Sequence, residues 1–244
     1  MRSTIKSLFA RIGIAVSRIP RVPPAFADQV ALFENTSVRC VVDLGASIGT
    51  FAKEYRTLFP QAEVYAFEAF EEHFRQLEAN TRHDPLIRPL HLAVSDVIGP
   101  VVLNVNRLPD TNSILTSRAA TNPRQYDTTG QEAVPSVTLD HFAAAHGIRT
   151  IDILKMDIQG AELRALRGAT GLLQDRRIRM VYCEVWFREM YDQQPLFHDI
   201  ARFLQAFDYR LINLYNCVYH GREVQWGDAL FASANLGRTT DAGA

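Results

Sequence analysis

Short apolar runs alternate along this chain with stretches whose apolar positions recur every three or four residues. The run Val38 to Leu44 predicts a buried strand, and residues 50–59 predict a helix stopped by Pro60. Residues 62–69 predict a second strand, and 71–82 a second helix with Phe74 and Leu77 turned inward. Residues 87–96 and 100–107 read as strands joined at Gly99-Pro100. From Leu108 to Pro135 the chain is polar, rich in Asn, Thr, Pro and Gly, and holds no steady period. A loop of that length in a compact domain predicts a lid or a binding loop.

Order returns with a helix at 137–147, a strand at 151–157, a helix at 161–175, a strand at 179–187 and an amphipathic helix at 196–208. Residues 209–220 and 229–233 supply two closing strands. Strands alternating with helices predict an α/β fold whose mainly parallel sheet is covered on both faces. The last two strands have no helix between them, which predicts an antiparallel edge. One domain over 31–236 follows, preceded by a basic amphipathic segment at 1–30 and followed by a disordered tail at 237–244.

Composition changes the picture only at the ends. The 244 residues are 47% hydrophobic with a formal net charge of -1, enough for one large core and no basis for a nucleic-acid surface. Cys40, Cys183 and Cys217 form no close pair, so free thiols and a reducing, cytoplasmic setting are expected. Arg2, Lys6, Arg11, Arg18 and Arg21 are interleaved with Ile5, Leu8, Phe9, Ile12 and Val16 at helical spacing. Arg11 interrupts that apolar stretch, which argues against a signal peptide or a spanning helix. Two readings of residues 1–24 stand: a basic amphipathic helix that touches a membrane or an acidic partner, or a helix packed on the domain or a frayed leader.

The chemistry concentrates where the first strand meets its helix, at DLGASIGT, residues 43–50. In an open parallel sheet, ligands lie beyond the carboxyl ends of the strands. Gly45 and Gly49 allow close backbone approach and positive φ there, and Asp43 offers an acceptor at the strand end. A phosphate-cradling loop requires Gly-Lys-Ser/Thr, and here Thr50 and Phe51 follow Gly49. A dinucleotide site requires a third glycine that GASIG lacks in register. S-adenosylmethionine has a sulfonium, an amino group and a ribose diol, which suit strand-end carboxylates. Glu68, closing the second strand, could accept both ribose hydroxyls.

These residues resemble the FkbM family of S-adenosylmethionine-dependent methyltransferases over about Val38 to Tyr215. The likeness is carried by VVDLGASIGTFA, VYAFEA, LHLAVSD, VTLDHF, ILKMDIQGAELRALRGA and VYCEVW. The most specific of these keeps Lys155, Asp157, Gly160 and Glu162, with Met156 and Gln159 at variable positions, and NSIL at 112–115 matches a family loop. The resemblance implies a Rossmann-like class I methyltransferase fold, with a seven-stranded sheet and an antiparallel last strand. It also implies O-methylation of a hydroxyl on a sugar of a glycan or glycolipid, or on a polyketide natural product.

The expected cofactor-binding set is Asp43, Gly45, Ala46, Ser47, Gly49, Glu68 and Ala69, with Ser95 and Asp96 at the end of the third strand for the adenine. Asp157 is expected to act on the acceptor hydroxyl. Lys155, on the same face of its strand, would bind the acceptor or lower the pKa of Asp157. Glu184 is expected to face the cleft, because an unpaired carboxylate is costly inside an apolar strand. Trp186, Phe187 and Tyr191 are candidates for a sugar-stacking wall, and Glu162 for support of a helix start. Asp157, Glu184 and His198 could be drawn together as an oxygen-rich Mg²⁺ site, but no clustered ligand motif supports one, and metal independence is expected. The partner is a small-molecule or glycolipid acceptor, with a homodimer left open. The competing classes are an NAD(P)-dependent oxidoreductase and a non-enzymatic membrane-associated module.

Overall fold

The computed structural model describes residues 22–118, 123–234 and 236. Residues 1–21 and the tail from 237 lie outside the described residues, and with them nearly all of the 1–24 segment on which the membrane-contact reading rests. The strands are β1 (Cys40–Leu44), β2 (Glu63–Phe67), β3 (Ile87–Leu90), β4 (Ala93–Val94), β5 (Gly99–Asn106), β6 (Thr128–Val137), β7 (Ile151–Met156), β8 (Ile178–Trp186), β9 (Tyr209–His220) and β10 (Glu223–Ser233). Seven of them form one sheet in the order β3-β2-β1-β7-β8-β10-β9. β3, β2, β1, β7 and β8 are parallel, while β10 is antiparallel to both β8 and β9. The reversed strand therefore lies one place in from the edge, and the edge strand β9 runs with the parallel set. The seven-stranded α/β fold with a reversed last strand holds, and so does the antiparallel pair at its edge, formed by β9 and β10.

Strand order reverses between β1 and β7, which makes their carboxyl ends the natural ligand crevice. Period-two alternation divides the side chains between two cores. Val42, Leu44, Leu154 and Met156 pack on one face, beneath the helices Leu139–Ala145, Glu162–Arg167 and Phe197–Gln205. Val41 and Ile153 face the other side, against Ala52 and Tyr55 of the helix Thr50–Leu58. The helix Pro24–Leu32 closes that second core: Phe26 packs on Phe51 and Tyr55, and Gln29 accepts the Tyr55 hydroxyl at 3.2 Å. Chain packed on the domain therefore begins before residue 31, the boundary expected from the sequence.

Three elements differ from the sequence pattern. Residues 87–96 are two strands, because the chain turns at His91-Leu92 and β4 leaves the main sheet to pair with Ser136 and Val137. Residues 108–135 are not one irregular loop. A 3₁₀ turn (Pro109–Thr111) and a short helix (Pro123–Tyr126) lead into β6, which pairs antiparallel with β5 in a second sheet ordered β4-β6-β5. The helix expected at 161–175 is two helices, Glu162–Arg167 and Thr170–Gln174. Asp140 breaks it by accepting the amides of Gly171 (2.8 Å) and Leu172 (2.9 Å), which caps a new helix start.

Candidate active site

The turn after β1 is built to approach other backbone closely. Gly45 has φ +74°, and a Cβ there would overlap the carbonyl of Asp157 at the end of β7. The amides of Gly45 and Ala46 both reach the Phe67 carbonyl of β2 (3.0 and 2.9 Å), and the Asp157 amide reaches Leu44 (3.0 Å). Three strand ends are thus drawn together around one opening. A cavity of about 340 Å³ lies there, with Gly45, Ser47, Glu68 and Ala69 on one side and Asp157 and Gln159 on the other. Leu92, Ala93 and Leu103 give it an apolar wall, and Asn112 and Ser113 close it from above.

Glu68 is the best-fixed group in the cavity. It is 8% exposed, its Oε2 accepts the Ser47 amide at 2.8 Å, and its Oε1 accepts the Phe70 amide at 2.9 Å. Burial pushes its pKa up, opposed by those two amides and by His73 and Lys155. Each oxygen keeps a further lone pair, and the residue lines the cavity, which is enough to receive a diol. Glu68 and Asp157 line the cavity while Lys155 is withheld from it, so a cationic sulfonium and its amino group fit this donor set. The wall of Leu92, Ala93 and Leu103 fits an adenine.

Several expected contacts fall elsewhere. Asp43 shares a face with Val41, is fully buried, and pairs with Lys155 at 2.9 Å directly across the β1–β7 ladder. Lys155 also donates to the Gly45 carbonyl at 2.9 Å and lies over the Phe51 ring. It therefore supports the glycine turn from below and makes no ion pair with Asp157. Burial alone would lower its pKa. The charges of Asp43 and Asp157, the hydrogen bond to Asp43 and the Glu68 charge outweigh this and hold it above the ordinary lysine value. Ala46 is packed in the second core, and Gly49 faces the Leu77 side chain. Ser95 is buried with its carbonyl against Gly168, and Asp96 is exposed. Neither lines the cavity, whereas Leu92 and Ala93, just upstream, do.

On the acceptor side, Gln159 adopts a left-handed conformation, φ +52°, just before Gly160 at φ +90°. Its Nε2 donates to Asp157 Oδ1 at 3.1 Å and to Glu184 Oε2 at 3.0 Å. Glu184 does not line the cavity and meets it only through Gln159; Trp186 Nε1 donates to the same Oε2 at 3.0 Å. Burial, then the charges of Asp157, Glu162 and Asp228, push the Glu184 pKa well above the carboxylate range. Trp186 and Tyr191 form no stacking wall. They are buried with Leu115 and Tyr126 in a satellite core, and Phe187 packs on Phe197. His198 pairs with Asp199 on its own helix, away from Asp157 and Glu184, and among the described residues no three His, Cys, Asp or Glu gather to hold a metal.

Glu162 is fully buried beneath the 157–160 turn, where Oε1 accepts the amides of Ile158 (3.1 Å) and Gly160 (3.4 Å). Burial, with a contribution from Asp157 and against those amides, pushes its pKa up to about 7. An acid that holds its proton longer when folded favours folding most below its unfolded pKa. That stability is lost as pH rises from the ordinary carboxylate value to about 7. Thermal unfolding at pH 5 and pH 7.5 should show this loss in the native protein and a smaller one in Glu162→Gln. Equal slopes would refute the assignment.

His73, Leu92 and Gln159 were absent from the sequence-based set. His73 Nδ1 lies 3.4 Å from Ser47 Oγ. Its signal was one turn of helix beyond Glu68, close enough to the cavity for inclusion.

A family model, the methyltransferase FkbM domain, matches residues 43–211. The 2-O-methyltransferase NoeI of Sinorhizobium fredii is 24% identical, over 69% of this chain and 72% of that protein. The 31-O-demethyl-FK506 methyltransferase FkbM of Streptomyces tacrolimicus is 26% identical, over 82% of this chain and 84% of that protein. Among solved structures, Aeropyrum pernix fibrillarin with natively bound S-adenosyl-L-methionine aligns at TM-score 0.44 and 14% identity, over 79% of this chain and 66% of that one. A strand-end glycine turn, a fixed carboxylate on the neighbouring strand and a family match across most of the sheet agree: the chain belongs to the FkbM methyltransferase family and takes its methyl group from S-adenosylmethionine.

Proposed function

We propose that the enzyme methylates a hydroxyl of a sugar or of a polyketide-type natural product, with Asp157 as the general base and Gly45, Ser47, Glu68 and Ala69 as cofactor contacts. The observation that carries this reading is one cavity with Glu68 fixed by two backbone amides on one side and Asp157 on the other. The relatives support the acceptor class: one is named a 2-O-methyltransferase, one a hexuronic acid methyltransferase from Haloferax volcanii, and one a 31-O-demethyl-FK506 methyltransferase.

S-adenosylmethionine supplies an activated methyl on a sulfonium, which leaves as a neutral thioether. Glu68 holds the ribose end in place, and the apolar wall excludes water around the base. Asp157 accepts the proton from the acceptor hydroxyl as the new oxygen–carbon bond forms. Orientation of the two reactants can contribute about 7–11 kcal/mol toward the barrier, and the base about a hundred- to ten-thousand-fold in rate.

Calorimetry of the full chain with S-adenosylmethionine tests the cofactor half. Hydrogen bonds to a charged group are each worth about 1.5–3 kcal/mol, so Glu68→Ala should weaken binding about a hundredfold or more. Glu68→Gln, which still offers an acceptor to Ser47 or Phe70, should fall between. Unchanged affinity in both variants would remove Glu68 from the site.

A further inference from the structure

The geometry points to Gln159 as the positioning residue of the acceptor side, its amide joining Asp157 and Glu184 where two carboxylates would otherwise need a divalent cation between them. This rests on the reading of Asp157 as the acceptor-side base. Two carboxylates facing one point repel each other unless a shared donor or a metal ion lies between. Here the point is taken by Gln159 Nε2, whose two hydrogens go one to each acid.

The other end of the residue is fixed as well. Gln159 Oε1 is 2.9 Å from the Tyr191 hydroxyl, which also lies 2.8 Å from the Thr111 carbonyl, and the Gln159 carbonyl accepts Ser113 Oγ at 2.7 Å. The side chain therefore ties the end of β7, the carboxylate of β8 and the buried Tyr191, and the backbone carbonyl of the same residue ties the loop that carries Ser113. An amide is neutral, so it orients the two acids without adding a charge of its own. The half-buried partner, Glu184, is the one whose environment favours the protonated form. Asp157 is the one that lines the cavity. The bridge thus assigns different tasks to two acids of the same chemistry, and it does so with no metal.

The inference also explains the strained backbone. A residue other than glycine at φ +52° is disfavoured, and that conformation sends the side chain back between the two strands.

Manganese ion is the probe, because it takes oxygen ligands as Mg²⁺ does and its free form is read directly by electron paramagnetic resonance. Gln159→Glu replaces the bridging amide with a third carboxylate. The variant should bind Mn²⁺ about tenfold or more tighter than the native protein, and adding Asp157→Asn should abolish the gain. Native protein that binds Mn²⁺ through Asp157, or a Gln159→Glu variant that binds no tighter, would overturn the inference. A second measurement reads the native protein directly. In the native protein, side-chain amide protons, identified by their loss in Gln159→Leu, should exchange slowly with solvent; exchange at the rate of a free glutamine would also overturn it. Donor calorimetry on the same samples separates the two readings. Failure to bind S-adenosylmethionine counts against the proposed function, and the Mn²⁺ and exchange results alone judge Gln159.

Discussion

Lys155→Met is expected to destabilise the protein by about 3–5 kcal/mol, the cost of leaving one member of a buried ion pair without its partner. Asp43 is fully buried, and the Lys155 ammonium 2.9 Å away is the group that neutralises it. Removing the ammonium leaves the carboxylate either charged in an apolar setting or protonated. Burial already pushes its pKa up against the pull of Lys155. The double variant Asp43→Leu/Lys155→Met should recover most of the loss, because replacing a whole buried pair by apolar groups is often neutral. It should not recover cofactor affinity, since Lys155 also holds the Gly45 carbonyl from below. Urea unfolding and donor calorimetry on the native protein and the two variants read the two effects separately. A loss of less than about 1 kcal/mol in Lys155→Met, the range of exposed pairs, would mean that the pair is not the support of the turn.

That pair also shows what the sequence made legible and what it hid. Gly45 and Glu68 could be read because each follows from a local rule: positive φ at a close approach, and a carboxylate closing the strand next door. Asp43 met the same strand-end rule and was assigned to the ligand. Alternation along β1, with Val41 and Asp43 on one face and Val42 and Leu44 on the other, was sufficient to place it in the second core. Two opposite charges at matched positions of adjacent strands could then have been paired. The second sheet was hidden for another reason. β6 exposes most of its first half to solvent and carries Gly130 and Pro135, so it lacks an apolar stripe and reads as loop. The break at Gly168 depends on Asp140 of a different helix, a long-range contact with no local trace. Gln159 reads as a variable position because its importance lies in what its amide touches, and those partners, Asp157, Glu184 and Tyr191, come from three places along the chain.

Asp157→Asn is expected to lower methyl transfer by about a hundred- to ten-thousand-fold while leaving cofactor affinity within about threefold, which is less than 1 kcal/mol. The substitution is a clean one. Asparagine is nearly the same size, its carbonyl can still accept the Gln159 amide now given to Asp157 Oδ1, and the Gly45 approach involves the backbone carbonyl rather than the side chain. What disappears is the ability to take a proton. A screen of sugar and polyketide hydroxyls with labelled S-adenosylmethionine supplies the acceptor, and single-turnover rates isolate the chemical step from product release. If the rate falls and donor binding does not, the lost group acts in the transition state and not in the ground state. If the rate is unchanged, Asp157 serves only to shape the turn, and the proton leaves directly to water. Glu184→Gln then becomes the informative partner. Its amide keeps an acceptor for Gln159 and Trp186, so a small effect there beside a large one at Asp157 would show that the two acids do different work. Equal effects would mean that the Asp157–Gln159–Glu184 unit acts as a whole, as non-additive catalytic groups do.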